Sequence, residues 1–215
     1  MSASTLYLDI EEFKLAVDDD GTTYDDLYIR AIDAASRRID LWTGRHFYTI
    51  ADQVRHVRPS TTYHAYVGDF VDPTAIVIRT DDDGDGTFNT VWSYPGDWIP
   101  EPFVQYNAAP YNRILAVGSK EFTLGSRRPT VQGSGGPWGW PAIPTPVIQS
   151  AQILAISYFK SKDFTGGDIG MPGFGVGGTN VRATDTIELA RDLIKDYVVS
   201  PGTAISETPS VTRRV

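Results

Sequence analysis

A chain of 215 residues can bury one substantial core or at most two small ones, and 41% hydrophobic against 21% charged residues places it well away from disordered compositions. The absence of cysteine excludes disulfides, thiolate metal sites and a cysteine nucleophile. A formal net charge of −8 argues against a protein that grips nucleic acid by neutralising phosphates, because such grips need basic patches.

The N-terminal MSASTLYLDIEEFK has neither a basic nor an apolar signal-like region, and no uninterrupted apolar run reaches the roughly 18 residues of a membrane span. The expected product is cytoplasmic and without a membrane segment. Asp9 is placed to cap a short helix over 10–17, IEEFKLAV, with Glu11 and Glu12 in the first turn where the helix dipole favours acid. After the acidic turn DDDGT, Thr23 is expected to cap a longer helix over 24–43, with Gly44 just past its end. Tyr28, Ala31, Ile32, Ala35, Ile39 and Trp42 recur at spacings of three and four and predict one buried stripe. Asp26 with Arg30, and Asp33 with Arg37, are spaced as i,i+4 pairs away from it.

Beyond Gly44 the periodicity changes. DQVRHVRP, TTYHAYVG, TAIVIRT, TFNTVWSY and KEFTLG are short β-branched and aromatic runs between Pro, Gly and Asp turns, predicting an antiparallel β region over about 47–132. GSGGPWGWPAIP reads as a closing loop, with Trp138 and Trp140 as a packing plug. Thr145 and Pro146 predict a helix start, and 146–162 is apolar around most of its circumference, as befits burial on more than one side, the second side being a neighbouring subunit. FTGGDIGMPGFGVGGTN is then a long loop, and a last helix is expected over 185–198, capped by Thr184 or Asp185, with Ile187, Ala190, Ile194 and Tyr197 on one face. The expected fold class is α+β: one domain over 1–198, a four-helix core with a β region inserted between the second and third long helical segments, and a free tail over 199–215.

The candidate sites are few. RTDDDGDGTFNTVW begins like a calcium loop, with Asp81, Asp83 and Asp85 at positions 1, 3 and 5 and Gly86 at position 6. Position 12, where a bidentate Glu belongs, is Trp92, and the flanks alternate as strands. A β-hairpin turn is the favoured reading and a weak calcium or magnesium site the other. His56 and His64, on neighbouring predicted strands, lack a carboxylate cluster, and GFGVGG follows a helix where a phosphate loop would follow a strand. No serine, lysine or carboxylate pair stands in a context that recommends an enzyme, and no cofactor is expected.

The order of these segments resembles the head-to-tail adaptor (connector) proteins of long-tailed bacteriophages, of the actinobacteriophage type. The resemblance is carried by YLDIEEFKLAV, AIDAASRRID, TGRHF, VIRTDDDGDGTFNTVW, GPWGWPAIPTPVIQSAQILAISYFKSKD and TDTIELARDLIKDY, and covers the chain to about residue 198. It implies a virion structural protein of the neck, assembled in the host cytoplasm as a homo-oligomeric ring of twelve copies beneath the portal. Such a ring extends the DNA channel used in genome ejection, joins the capsid to the next neck or tail-completion protein, and lets DNA pass without specific binding. On this reading Ile148, Ile153, Ile156 and Phe159 are subunit-interface candidates, and Ser200, Pro201, Val211, Arg213 and Arg214 of the tail are portal-binding candidates. The competing reading is a calcium-dependent, β-rich binding module for carbohydrate or protein, using Asp81, Asp83 and Asp85 with Trp138 or Trp140.

Overall fold

The computed structural model describes residues 5–103, 105, 109–161 and 183–199. The glycine-rich loop 166–178 and the tail candidates Ser200, Pro201, Val211, Arg213 and Arg214 lie outside the described residues. The described chain divides into two compact units: one formed by the residues up to Phe47 and from Ile143 onward, the other by Tyr48–Ala142.

The first unit is helical. α1 (Ile10–Val17) starts where Asp9 accepts the Glu11 amide, and ends on Asp18, whose left-handed backbone returns its N–H to the Lys14 carbonyl. Asp9 thus caps α1 as the sequence predicts. α2 (Asp25–Thr43) ends on Gly44 at φ 65°, but Thr23 does not cap it: Tyr24 occupies the cap position and no side chain closes the first turn. The buried stripe of α2 is Tyr28, Ala31, Ile32, Ala35 and Ile39, with Trp42 half-buried between the guanidinium groups of Arg38 and Arg191 at 5.1 and 5.8 Å from its ring. Asp33 and Arg37 approach to 3.6 Å, whereas Arg37 makes its closer contact, 2.8 Å, with Asp40. Asp26 and Arg30 form no ion pair.

α3 (Thr145–Ser161) begins one residue before the expected start, with the Pro144 carbonyl accepting the amides of Val147 and Ile148. α4 (Ala183–Leu193) begins before Thr184 and Asp185, which therefore lie in its first turn, and a 3-10 turn, Lys195–Tyr197, follows it. α3 packs against both α2 and α4, and its buried Ser150 hydroxyl donates to the Ala190 carbonyl at 2.9 Å. Phe13, Tyr28 and Phe159 close one end of the unit as an aromatic cluster, and Phe47 meets Tyr197 edge-on at 5.6 Å.

The second unit is built from two antiparallel sheets whose inner residues share one core. The strands are β1 (Thr49–Ile50), β2 (Arg55–Val57), β3 (His64–Phe70), β4 (Ile76–Thr80), β5 (Thr90–Trp92), β6 (Trp98–Glu101), β7 (Tyr111–Ala116), β8 (Val131–Gly135) and β9 (Trp138–Gly139). One sheet runs β1-β9-β3-β7-β6 and the other β2-β8-β4-β5. Trp98, Trp138, Phe70, Ile78 and Ile114 are fully buried between them.

Two expectations are corrected here. KEFTLG is not a strand; Phe122 leaves the chain to stack on Trp92 at 4.6 Å, so its apolar character serves as a core anchor. GSGGPWGW is not simply a loop, because it carries the end of β8 and all of β9. Its glycines permit close approach: a β-carbon on Gly133 would stand 2.7 Å from the Trp138 ring, and one on Gly139, at φ 100°, would stand 2.0 Å from the Tyr48 carbonyl oxygen.

Candidate functional site

The features singled out from sequence fall on a helix side in the first unit and a hairpin tip in the second. On α3, Val147, Ser150, Ala151, Leu154 and Ala155 are fully buried. Ile148, Gln152, Ile153 and Ile156 are only half-buried. These four recur at helical spacing, so a helix already packed on two neighbours retains a third, partly open side on which three isoleucines surround the polar Gln152. Phe159 differs from the three isoleucines: its ring lies 4.8 Å from Tyr28 and 6.2 Å from both Phe13 and Tyr24, so it belongs largely to the aromatic cluster of its own unit. Exposed apolar side chains also stand on α2, where Leu27, Ile29 and Leu41 are 37%, 43% and 73% exposed.

A polar clamp fixes the entry of the same unit. The Tyr7 hydroxyl donates to Asp40 and accepts the Phe47 amide at 2.9 Å, while Asp40 also holds Arg37 and stands 3.4 Å from His46. Burial and the Asp40 hydrogen bond raise the Tyr7 pKa far above the ordinary phenol value, so the hydroxyl stays protonated and keeps donating.

In the second unit, β4 and β5 pair through Thr80 and Thr90, so residues 81–89 form a hairpin tip, as favoured from the sequence. Asp81, Asp83 and Asp85 each bring a carboxylate oxygen within 4.8 Å of the others. Asp81 is fully buried, and its two carboxylate oxygens accept the amides of Gly84 and Gly86 at 2.8 and 2.9 Å. Asp83 and Asp85 are exposed, and each accepts a backbone amide two residues on. The aspartates therefore act as turn-closing acceptors, and Asp81 holds the tip from inside.

The two histidines of the predicted strands do not meet. His56 lies on β2 and His64 on β3, in different sheets. His56 contacts Gln132 and Phe88, and His64 stands 3.6 Å from Glu101, which also binds Arg113. Trp138 is fully buried and Trp140 nearly so, donating to Asp69 at 2.9 Å; neither offers a face for stacking sugar. Sequence reading passes over a cavity of about 210 Å³ lined by Arg58, Pro59, Thr123, Leu124, Gly125, Ser126, Arg128 and Thr130, whose one sequence signal is the paired arginines of SRRP.

These features define a helical unit discontinuous in sequence, with a two-sheet β unit between its second and third helices. A chain of the same fold occurs in a solved structure described as the neck of an empty gene transfer agent (GTA) particle, computed with C6 symmetry. It is 15% identical, covers 89% of this chain and 92% of that one, and superposes with a TM-score of 0.51. Chains from the neck of the native GTA particle computed with C12 symmetry (18% identity, 85% and 87% coverage, TM-score 0.42) and from the native GTA virion (17%, 83% and 86%, 0.43) resemble it more loosely. No protein-family model matches the chain, and no curated protein matches it significantly.

Proposed function

We propose that this chain is a non-catalytic virion protein of the neck, a head-to-tail adaptor that assembles as a ring under the portal and extends the DNA channel toward the tail. The observation that carries this reading is the fold shared along 89% of the chain with a chain of a particle neck. A ring closed by rotation pairs two unlike surfaces, one from each neighbour. The half-buried Ile148, Ile153 and Ile156 of α3 supply one apolar surface, and the exposed Leu27 and Leu41, which share a side of α2, supply an unlike one. The net charge of −8 suits a channel past which DNA slides without adhering. The tail, with Arg213 and Arg214, serves as the portal-binding segment, since a segment that orders on binding can cover a large surface.

Electron microscopy of the purified protein, alone and mixed with its portal, tests the proposal. Rings of uniform symmetry stacked on portal are the expected result; monomers in both preparations overturn it.

A further inference from the structure

The cavity beside the hairpin tip combines features that the adaptor reading does not use. Several cations of this acidic protein are matched with acid, among them Lys14 with Asp25 at 2.7 Å, Arg113 with Glu101 at 2.8 Å and Lys195 with Asp192 at 2.8 Å. Arg58 and Arg128, which both line the cavity, have no carboxylate partner among the described residues. Each guanidinium is instead tethered by one N–H to a backbone carbonyl, Arg58 to that of Arg127 and Arg128 to that of Asp85, the latter at 3.1 Å. A guanidinium has five N–H donors in a rigid fork, so one tether orients each head and leaves the rest to bind. Ser126, also in the wall, accepts the Arg128 amide at 3.0 Å, and its hydroxyl proton has no acceptor among the described residues. Two exposed guanidinium groups, each tethered once, and a hydroxyl donor around one cavity make the donor set that oxyanions require.

We propose that this cavity binds a single oxyanion group, phosphate or carboxylate, through Arg58, Arg128 and the Ser126 hydroxyl. Its neighbour restricts what can carry that group. Because Arg128 is tied to the Asp85 carbonyl, the acidic tip with Asp83 and Asp85 stands beside the cavity. Those carboxylates repel any anion seated on Arg128, and a strand of consecutive phosphates, with more charge brought near the tip, meets more of that repulsion than a lone anion does. The site therefore accepts a free anion or one acidic side chain and rejects nucleic acid.

Equilibrium dialysis of the full chain against labelled inorganic phosphate, at ionic strength fixed with sodium chloride, tests this. Saturable binding of one phosphate per chain is expected, displaced by acetate. Arg58→Gln with Arg128→Gln should weaken it at least tenfold at unchanged melting temperature, the Lys pair should restore it in part, and Arg79→Gln should leave it intact. Oligothymidylate should compete no better per phosphate than the free ion. Absence of saturable binding, its survival in the Gln pair, or stronger competition by oligothymidylate overturns the proposal.

Discussion

Asp81 carries the hairpin tip on a single carboxylate. Both its oxygens accept backbone amides inside the turn, and its own amide donates to the Thr130 carbonyl at 2.9 Å. Asp81→Ala removes both hydrogen bonds to the Gly84 and Gly86 amides, and a loss of about 2–3 kcal/mol is expected from thermal or urea melts, because each bond to a charged acceptor contributes more than an average one. Millimolar calcium should leave the wild-type melting temperature unchanged; a clear rise would return the calcium-module reading. In the other unit, Asp19 accepts the Tyr28 hydroxyl and the Gly21 amide, which hold its pKa below the ordinary aspartate value. A depressed carboxylate stabilises the fold above its unfolded pKa, and that contribution is lost as pH falls through the lower folded value. Tyr28→Phe should therefore be less stable than wild type near neutrality, with the gap narrowing in acid; a gap constant down to the acid limb would show that Asp19 is not the source.

At the scale of elements, α3 and β9 are the informative cases. Ile156→Asp places a charge on the half-buried side of α3, away from Leu154 and Ala155, so the monomer should stay helical while ring assembly is lost. Native mass spectrometry showing unchanged rings would remove this side from the interface. Gly139→Ala drives a β-carbon onto the Tyr48 carbonyl at a backbone angle that alanine resists, and about 2–3 kcal/mol of destabilisation is expected in denaturant melts. α1 was legible from its capping Asp9 and first-turn acids, and α2 from its apolar spacing and terminal Gly44, although no side chain caps its start. β6 was not: it contains Pro100, which reads as a break, but it lies at a sheet edge where a missing N–H is tolerated. β8 and β9 hid behind glycines whose purpose, room for Trp138 and Tyr48, exists only after tertiary packing. The half-open side of α3 could be anticipated from its excess of apolar residues, whereas the Arg58 and Arg128 cavity joins segments distant in sequence and left no local periodicity to find.

For the whole molecule, the proposed division of labour places assembly on the helical unit and portal attachment on the tail. Truncation after Ser200 should leave a chain with wild-type circular dichroism and melting temperature that no longer captures portal in a pull-down. Retained capture would move portal recognition onto one of the folded units. The units also differ in what builds them: the helical one is assembled from two stretches of chain separated by Tyr48–Ala142, whereas the β unit is continuous within that span.

The pairing of β1 with β9, Thr49 opposite Gly139 and Ile50 opposite Trp138, then bears on the order of folding. A helix pair that must wait across nearly a hundred residues faces a loop-closure entropy that grows by about 0.6 kcal/mol with each doubling of the gap. Once β1 has paired with β9, that gap shrinks to the short links 44–48 and 140–144 joined across one strand spacing, about three halvings or about 2 kcal/mol. Wherever this pairing precedes the packing of α3 on α2, the β unit serves as an intramolecular splint that lowers the closure cost of the helical unit.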